Sequence, residues 1–434
     1  MDEQYLADHY EDVVIKRDIN YANVKQGLDI TRRFIIANKL ILIGGMAIDM
    51  ALKAKNKEGI YSPDKLPDFD FLSPDSVKHS SELGEYLCKK GLPNISIINA
   101  MHTTTRRVRV DYVSVADIGY CPRNIFDTLP YVAYDDMRII HPHFQMIDIH
   151  RSLSFPFERP LTPVMFYRWK KDCKRYDLLF DAYPIKYSGE KIPEMTKVKI
   201  DKKLLRNSCL MGWAAFSYWK TKNLDTVTIP VNEPIQFLTD DYSSFACMAT
   251  PSKYTEGRMG HLVRSVTITI DNQEYEIFDN LGDMVSAEKI DKMYVVNMQH
   301  VMQFLLAKIY LYFDSSARLK ALCKKLYIEC AKMVKSSDEP GIIPSINVFG
   351  KFNWDEAYII NRREFAAKLN DIKLSRPDRP KNIYPAAPNC KSTVEFDYKK
   401  SHYFAISGTT TNTFIPKRLD FFGEEDIVTK QAIH

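Results

Sequence analysis

Two carboxylates and two glycines are the residues of this 434-residue chain best suited to chemistry. Asp68 and Asp70 stand in Leu66-Pro-Asp-Phe-Asp-Phe-Leu72, a short apolar run broken only by the two acids. Alternate residues of a strand share a face, so Asp68 and Asp70 point one way while Phe69 and Phe71 point the other. Carboxylates that close repel, and each raises the other's pKa unless a cation sits between them. Hard oxygen donors on a rigid strand suit Mg²⁺, which is commonly held by one or two carboxylates together with substrate phosphates. The pattern is that of a metal site for phosphate chemistry.

The elements that position these residues follow from the flanking sequence. Lys39 to Ile43 reads as a strand, Gly44-Gly45 as a sharp turn, and Met46 to Lys53 as a helix. Backbone N–H groups at a helix start, with no Cβ in the way, bind phosphate oxygens. A Gly-Gly pair alone is often a plain turn, and Asp-x-Asp alone is often solvated. Strand, Gly-Gly, helix and then a strand with Asp-x-Asp is far more specific in combination.

Phosphoryl transfer at such a site needs a further carboxylate near the attacking hydroxyl. Asp111 and Asp117 are the candidates. Arg106 to Val110 and Val113 to Tyr120 read as a hairpin with its turn near Asp111-Tyr112.

The second half of the chain repeats this order. Cys209 to Lys220 echoes Leu42 to Lys53, with Gly212 set against Gly45, and Glu233-Pro-Ile-Gln-Phe-Leu-Thr239 matches Pro67-Asp-Phe-Asp-Phe-Leu-Ser73. Asp68 then corresponds to Pro234 and Asp70 to Gln236. A hairpin around Asp271-Asn272 corresponds to the one around Asp111-Tyr112. The comparison favours Asp117, read as lying at a strand end like Asp279, over the turn residue Asp111. Two related domains in tandem are expected, and only the first keeps both glycines and both carboxylates.

A formal charge of +5, with 26% charged and 45% hydrophobic residues, describes an ordinary globular composition and does not announce a nucleic-acid binder. Basic runs are local: Arg106, Arg107 and Arg109; Lys170, Lys171, Lys174 and Arg175; Lys197 to Lys203; Arg318 to Lys335. Most such runs are solvated helix faces, while one or two could line an RNA or triphosphate channel. Eight cysteines without a Cys-x-x-Cys pair argue against a zinc knuckle or a disulfide framework and favour a reducing compartment. No signal peptide and no membrane span is expected. His141, His143 and His150 lack helical ligand spacing and read as ordinary polar histidines. Arg168 to Phe180 reads as an amphipathic helix with Trp169, Cys173, Tyr176 and Phe180 on one face, leaving Lys171 and Lys174 to reach phosphate. From about Ser375 the chain is rich in Pro, Asn and Thr and reads as an extended arm.

Gly44-Gly45, Asp68-Phe69-Asp70 and Asp117 together resemble the signature of the polymerase-beta-like nucleotidyltransferase superfamily. More narrowly, the chain resembles the poly(A) polymerase catalytic subunits of large nucleocytoplasmic DNA viruses, through Arg168 to Leu179, Lys381-Asn-Ile-Tyr-Pro385 and Phe396-Asp-Tyr to Tyr403-Phe404. Met46 departs from the superfamily, many of whose members carry serine there. The resemblance implies a mixed α/β fold of tandem nucleotidyltransferase-like domains, each a small mixed sheet flanked by helices, the second degenerate. Expected boundaries are 1–190 for the catalytic domain, 191–340 for the degenerate one and 341–434 for a C-terminal extension.

The implied reaction is template-independent addition of AMP from ATP to an RNA 3′ end, with release of diphosphate. Asp68, Asp70 and Asp117 would hold two Mg²⁺ (or Mn²⁺) ions, and Gly44, Gly45, Lys171 and Lys174 would contact the nucleotide. Implied partners are RNA, ATP and either a second copy or a processivity subunit, in the host cytoplasm or the virion. A transferase with another acceptor (a tRNA, a small molecule or a protein) and a noncatalytic RNA-binding scaffold are the competing readings.

Overall fold

The computed structural model describes residues 10, 13, 16–100, 105–121, 123–155, 163–200, 208–247, 254–256, 264–280, 285–310, 315–339, 342 and 348–350. The expected C-terminal extension, with its motifs at 381–385 and 396–404, lies almost wholly outside the described residues. The described residues fall into two compact units, one up to His141 and the other from Pro142 onward. No described helix is long and apolar enough to cross a membrane.

The first unit is built on β1 (Ile41–Ile43), β2 (Phe69–Ser73), β3 (Ser96–Asn99), β4 (Thr105–Val110), β5 (Val113–Tyr120), β6 (Tyr131–Tyr134) and β7 (Met137–Ile140). They form one seven-stranded mixed sheet in the order β3-β4-β5-β2-β1-β7-β6. The central strand β1 carries the fully buried Ile41 and Leu42, as an interior strand of such a sheet should. On β4 the alternation is regular: Arg106, Val108 and Val110 are buried, while Arg107 and Arg109 sit half-buried on the other face. Asp111 and Tyr112, both at positive φ (51° and 69°), make the tight turn into β5. The helices Tyr21–Ala37 and Ser76–Lys89 pack on one another and on β4 and β5. Gly27 permits the approach, because a Cβ there would meet Val110 at 2.9 Å and Val115 at 3.2 Å.

The second unit carries β8 (Met195–Lys199), β9 (Ser208–Leu210), β10 (Thr226–Pro230), β11 (Ile235–Thr239), β12 (Tyr254–Glu256), β13 (Arg264–Ile270), β14 (Gln273–Asp279), β15 (Val285–Ile290), β16 (Met293–Val296) and β17 (Val348–Phe349). Strands β8 and β10 pair separately, and the rest form an eight-stranded sheet in the order β12-β13-β14-β11-β9-β16-β15-β17.

Helices Pro142–Ser154 and Met298–Tyr310 pack together in the second unit. Between them the buried His150 ring contacts the Gln299 side-chain carbonyl and the Tyr327 hydroxyl, each at 2.7 Å. Burial pushes its pKa down to about 4. His143 bonds the Tyr310 hydroxyl and the Tyr183 carbonyl. Both histidines have structural partners.

The helix Pro163–Ala182 differs from its expected face. Cys173 is exposed, and the buried positions are Asp172 and Leu179. Asp172 turns inward because it accepts the Ser152 hydroxyl at 2.9 Å and pairs with Arg168 at 3.5 Å. The inward stripe is therefore rotated by about one residue, although Tyr176 and Phe180 still stack at 5.7 Å.

The two sheets have one topology. β2 is antiparallel to β1 and parallel to β5, as β11 is to β9 and β14; β7 and β16 lie parallel to β1 and β9. The detail extends to single bonds. The Cys121 N–H donates to the Ser73 carbonyl and the Asn280 N–H to the Thr239 carbonyl, both at 2.9 Å. The mixed α/β architecture with a second, altered copy is thus present as expected.

Register corrects two details of the repeat. Leu42 pairs with Phe71 and Leu210 with Phe237, so Gly212 stands in the place of Gly44, and Trp213 in that of Gly45. Likewise Asp70 pairs with Asp117 and Gln236 with Glu276. The counterpart of Asp117 is therefore Glu276 and not Asp279, and Asp117 lies inside β5 rather than at its end.

Candidate active site

The site forms where β2, β5 and β4 run side by side. Asp70 and Asp117 are register partners across the parallel β2/β5 pair, and Arg107 is the partner of Asp117 across the antiparallel β4/β5 pair. One row of three adjacent strands thus carries acid, acid and base. Asp68 stands one residue before β2. One carboxylate oxygen from each of Asp68, Asp70 and Asp117 lies within 4.8 Å of the others, and all three residues are half-buried.

Like charges opposite one another in a sheet repel. Burial raises the Asp68 carboxyl above its ordinary range, and the charge of Asp117 raises it further, with Arg107 opposing. Arg107 answers with a fork: its Nε donates to Asp117 Oδ1 at 2.7 Å and its NH2 nitrogen to Oδ2 at 2.5 Å. That hydrogen bond is the main reason its own pKa is raised. In the sequence Arg107 was one of three arginines in Thr105-Arg-Arg-Val-Arg-Val110 with nothing to single it out; strand alternation separates Arg107 and Arg109 from the buried Arg106.

Gly44 closes the site from the other side. It follows Ile43, the register partner of Asp70, and opens the helix Gly44–Lys53 at φ +70°. A Cβ on Gly44 would lie 2.2 Å from Asp70 Oδ2. The chain reverses at this point with its backbone against the carboxylate, and the positive end of the helix faces the acid. Gly45, the next residue, is buried in the first turn.

Asp111 is outside the carboxylate cluster. Asp111 is in the β4–β5 turn, where its carboxylate accepts the side-chain amides of Asn23 and Asn94, each at 2.8 Å. Lys171 and Lys174 belong to the second unit and are exposed on the helix Pro163–Ala182.

The equivalent place in the second unit has other contents. Pro234 and Gln236 replace Asp68 and Asp70, and Thr267 replaces Arg107 by register. The Trp213 N–H donates to Gln236 Oε1 at 3.3 Å, and its indole, buried against Phe304, reaches Glu233 at 3.3 Å. Glu276 accepts the Ser265 hydroxyl at 3.0 Å. Among the described residues, the Asp68, Asp70 and Asp117 group is the one acidic cluster with metal-ligand spacing.

Part of the chain is similar in sequence to known proteins, and its fold is similar to a solved structure. The model of the family described as poly(A) polymerase catalytic subunit matches residues 29–159. A provisionally named poly(A) polymerase catalytic subunit of African swine fever virus (isolate Pig/Kenya/KEN-50/1950) is 44% identical over 176 residues, 41% of this chain and 37% of that protein. A protein of the same description from Acanthamoeba polyphaga mimivirus is 28% identical over 207 residues, 44% of this chain and 35% of that protein. The chain thus spans little more than a third of the length of the curated relatives it matches. The crystal structure of the Megavirus polyadenylate synthase superposes with a TM-score of 0.64 over 86% of this chain and 84% of that one, at 19% identity, and so shares the fold. Residues 29–159, which carry Gly44, Asp68, Asp70, Arg107 and Asp117, are the segment that matches the poly(A) polymerase catalytic subunit family.

Proposed function

We propose that the chain is a template-independent polynucleotide adenylyltransferase that adds AMP from ATP to RNA 3′ ends, mRNA among them, and releases diphosphate. The observation that carries this reading is the in-register pairing of Asp70 with Asp117 beside Asp68, on a segment matched by the catalytic-subunit family. The donor set fits hard divalent cations such as Mg²⁺ or Mn²⁺: three half-buried carboxylates, one of them pushed toward protonation by burial and then by the charge of Asp117, gain most from added positive charge.

Asp68 and Asp70 would hold two such ions, and Asp117 would share the one on the RNA side. When bound, the ions stabilise the attacking and leaving oxygens of an in-line displacement at the α-phosphate. The residues of the chain do the rest. Gly44 and Gly45 leave the helix start open to phosphate oxygens. Asp117 orients the 3′ hydroxyl and favours loss of its proton. Lys171 and Lys174 contribute charge toward the triphosphate. The second copy serves as scaffold, and a second subunit or a second copy of the chain holds the RNA between additions, in the host cytoplasm or the virion.

The test is a primer-extension assay with labelled ATP, Mg²⁺ and a short RNA. Ladders of adenylate from the wild type, and none from a normally melting Asp70→Ala variant, support the reading. Addition of a single nucleotide would point to a different acceptor, and full activity in Asp70→Ala would remove the metal-site assignment.

A further inference from the structure

We propose that Arg107 is a resident counter-ion of the carboxylate cluster, which competes with a divalent cation for Asp117. The proposal rests on the metal-site reading given above. Both Asp117 oxygens accept from one guanidinium, at 2.7 and 2.5 Å, so a cation bound by Asp117 would sit close to a fixed positive charge. The two positive charges repel across the shared carboxylate, which lowers the affinity for each.

The engagement is dictated by the sheet. Arg107 and Asp117 are direct register partners on adjacent antiparallel strands, and the position is only partly open, with side-chain exposures of 38% and 13%. Asp68 and Asp70 lie close enough for their charges to add to that of Asp117 at the guanidinium. One arginine therefore balances a cluster that would otherwise hold three like charges within 4.8 Å.

The second unit supplies an independent comparison. By register the residue in the place of Arg107 is Thr267, facing Glu276. There the counterparts of Asp68 and Asp70 are Pro234 and Gln236, and Glu276 Oε1 accepts the Ser265 hydroxyl instead of a guanidinium. The arginine is present where the three acids are present and missing where a single acid remains. A fixed structural role of β4, which both copies share, would not follow that distribution.

Arg107 acts as a positioning residue. It keeps the cation-free site folded and ordered, and it sets the affinity for the cation by competing for Asp117. Ordinary structural damage weakens both folding and cation binding. Loss of a competing counter-ion does something different: it weakens the cation-free fold and tightens cation binding.

The experiment measures Mn²⁺ binding to the full chain without nucleotide, by counting free Mn²⁺ from its paramagnetic signal at slightly alkaline pH, together with melting temperatures. Arg107→Gln is expected to lower the Mn²⁺ dissociation constant on the order of tenfold, the scale of a part-buried charged fork, and to lower the melting temperature without metal. Arg107→Lys, which keeps the charge and loses the fork, is expected to show a smaller tightening and remains informative where the glutamine variant does not fold. Asp70→Asn is the control for the site itself. If Asp70→Asn binds Mn²⁺ like the wild type, the metal-site reading fails. If Asp70→Asn loses binding while the foldable Arg107 variants bind Mn²⁺ equally or more weakly, the site stands and the counter-ion proposal is overturned.

Discussion

A Cβ on Gly44 would lie 2.2 Å from Asp70 Oδ2, and a Cβ on Gly212 would lie 2.5 Å from Gln236 Oε1. Both glycines sit at left-handed φ, +70° and +60°, and both open a helix of the same length. The pair is one structural device used twice, in one copy against a carboxylate and in the other against its amide replacement. Gly44→Ala must displace Asp70 and adopt a strained backbone worth about 1–3 kcal/mol. Because a misplacement of about 1 Å at a reacting centre costs roughly a hundredfold, adenylate transfer should fall at least that far, with a modest drop in melting temperature. Gly212→Ala should show the drop in melting temperature and keep the transfer rate of the folded protein. Equal transfer losses in the two variants would contradict the assignment of chemistry to the first copy.

Much of this was legible locally. Asp68-Phe69-Asp70 announced itself because strand periodicity and carboxylate repulsion act over three residues, and the mixed α/β class followed from the repeated order of elements. Register was harder. It is fixed by hydrogen bonds between strands far apart in the chain, so spacing alone set Gly212 against Gly45 and Asp279 against Asp117, whereas the ladders set Gly212 against Gly44 and Glu276 against Asp117. Arg107 had no local mark either, since its importance comes from the residue across the ladder. Asp172 was hidden for the opposite reason: an acid is expected to face water, and two partners from its surroundings turned it inward.

Asp111 and Asp117 should separate cleanly. The Asp111 carboxylate ties the β4–β5 turn to Asn23 and Asn94, at a left-handed position that asparagine also tolerates. Asp111→Asn is expected to cost about 1 kcal/mol of stability and to keep transfer within about twofold of wild type. Asp117→Asn should lower transfer by more than about a hundredfold, since changes even around the ligands of a metal commonly cost ten- to a hundredfold. Parallel melting curves and primer extension read both effects. A large transfer loss in Asp111→Asn at normal stability would move the third carboxylate to the turn.

Stability without metal should depend on pH through Asp68. Burial first, and the Asp117 charge second, hold its folded-state pKa above the ordinary 3.8. Ionisation therefore costs the folded protein more than the unfolded chain. The contribution of Asp68 to stability is complete below 3.8 and is lost as pH rises through the folded value. Asp68→Asn removes that loss, so at neutral pH and without cation the variant should melt higher than the wild type, a difference that vanishes at acid pH. Added Mg²⁺ should raise the wild-type melting temperature and leave the variant nearly unmoved. A variant that melts lower at neutral pH would show that Asp68 is not under electrostatic strain.

The second copy should be needed for folding and silent in chemistry. Gln236 is fully buried and holds the Trp213 N–H, while Trp213 occupies the place of Gly45 and packs edge-on against Phe304 at 5.2 Å. By register the second copy thus has a large buried side chain where the first has a glycine. Gln236→Ala leaves the buried Trp213 donor without its acceptor, a loss of about 1–3 kcal/mol. The folded protein should nevertheless extend a primer at the wild-type rate and with the same Mg²⁺ dependence. Restoring acids through the double change Pro234→Asp and Gln236→Asp should likewise add no activity, because Trp213 still stands in the place of Gly45 and Thr267 supplies no counter-charge. In an Asp70→Ala background that double variant should remain inactive. Recovery of transfer there would mean that the second copy retains an open nucleotide site, contrary to the packing of Trp213.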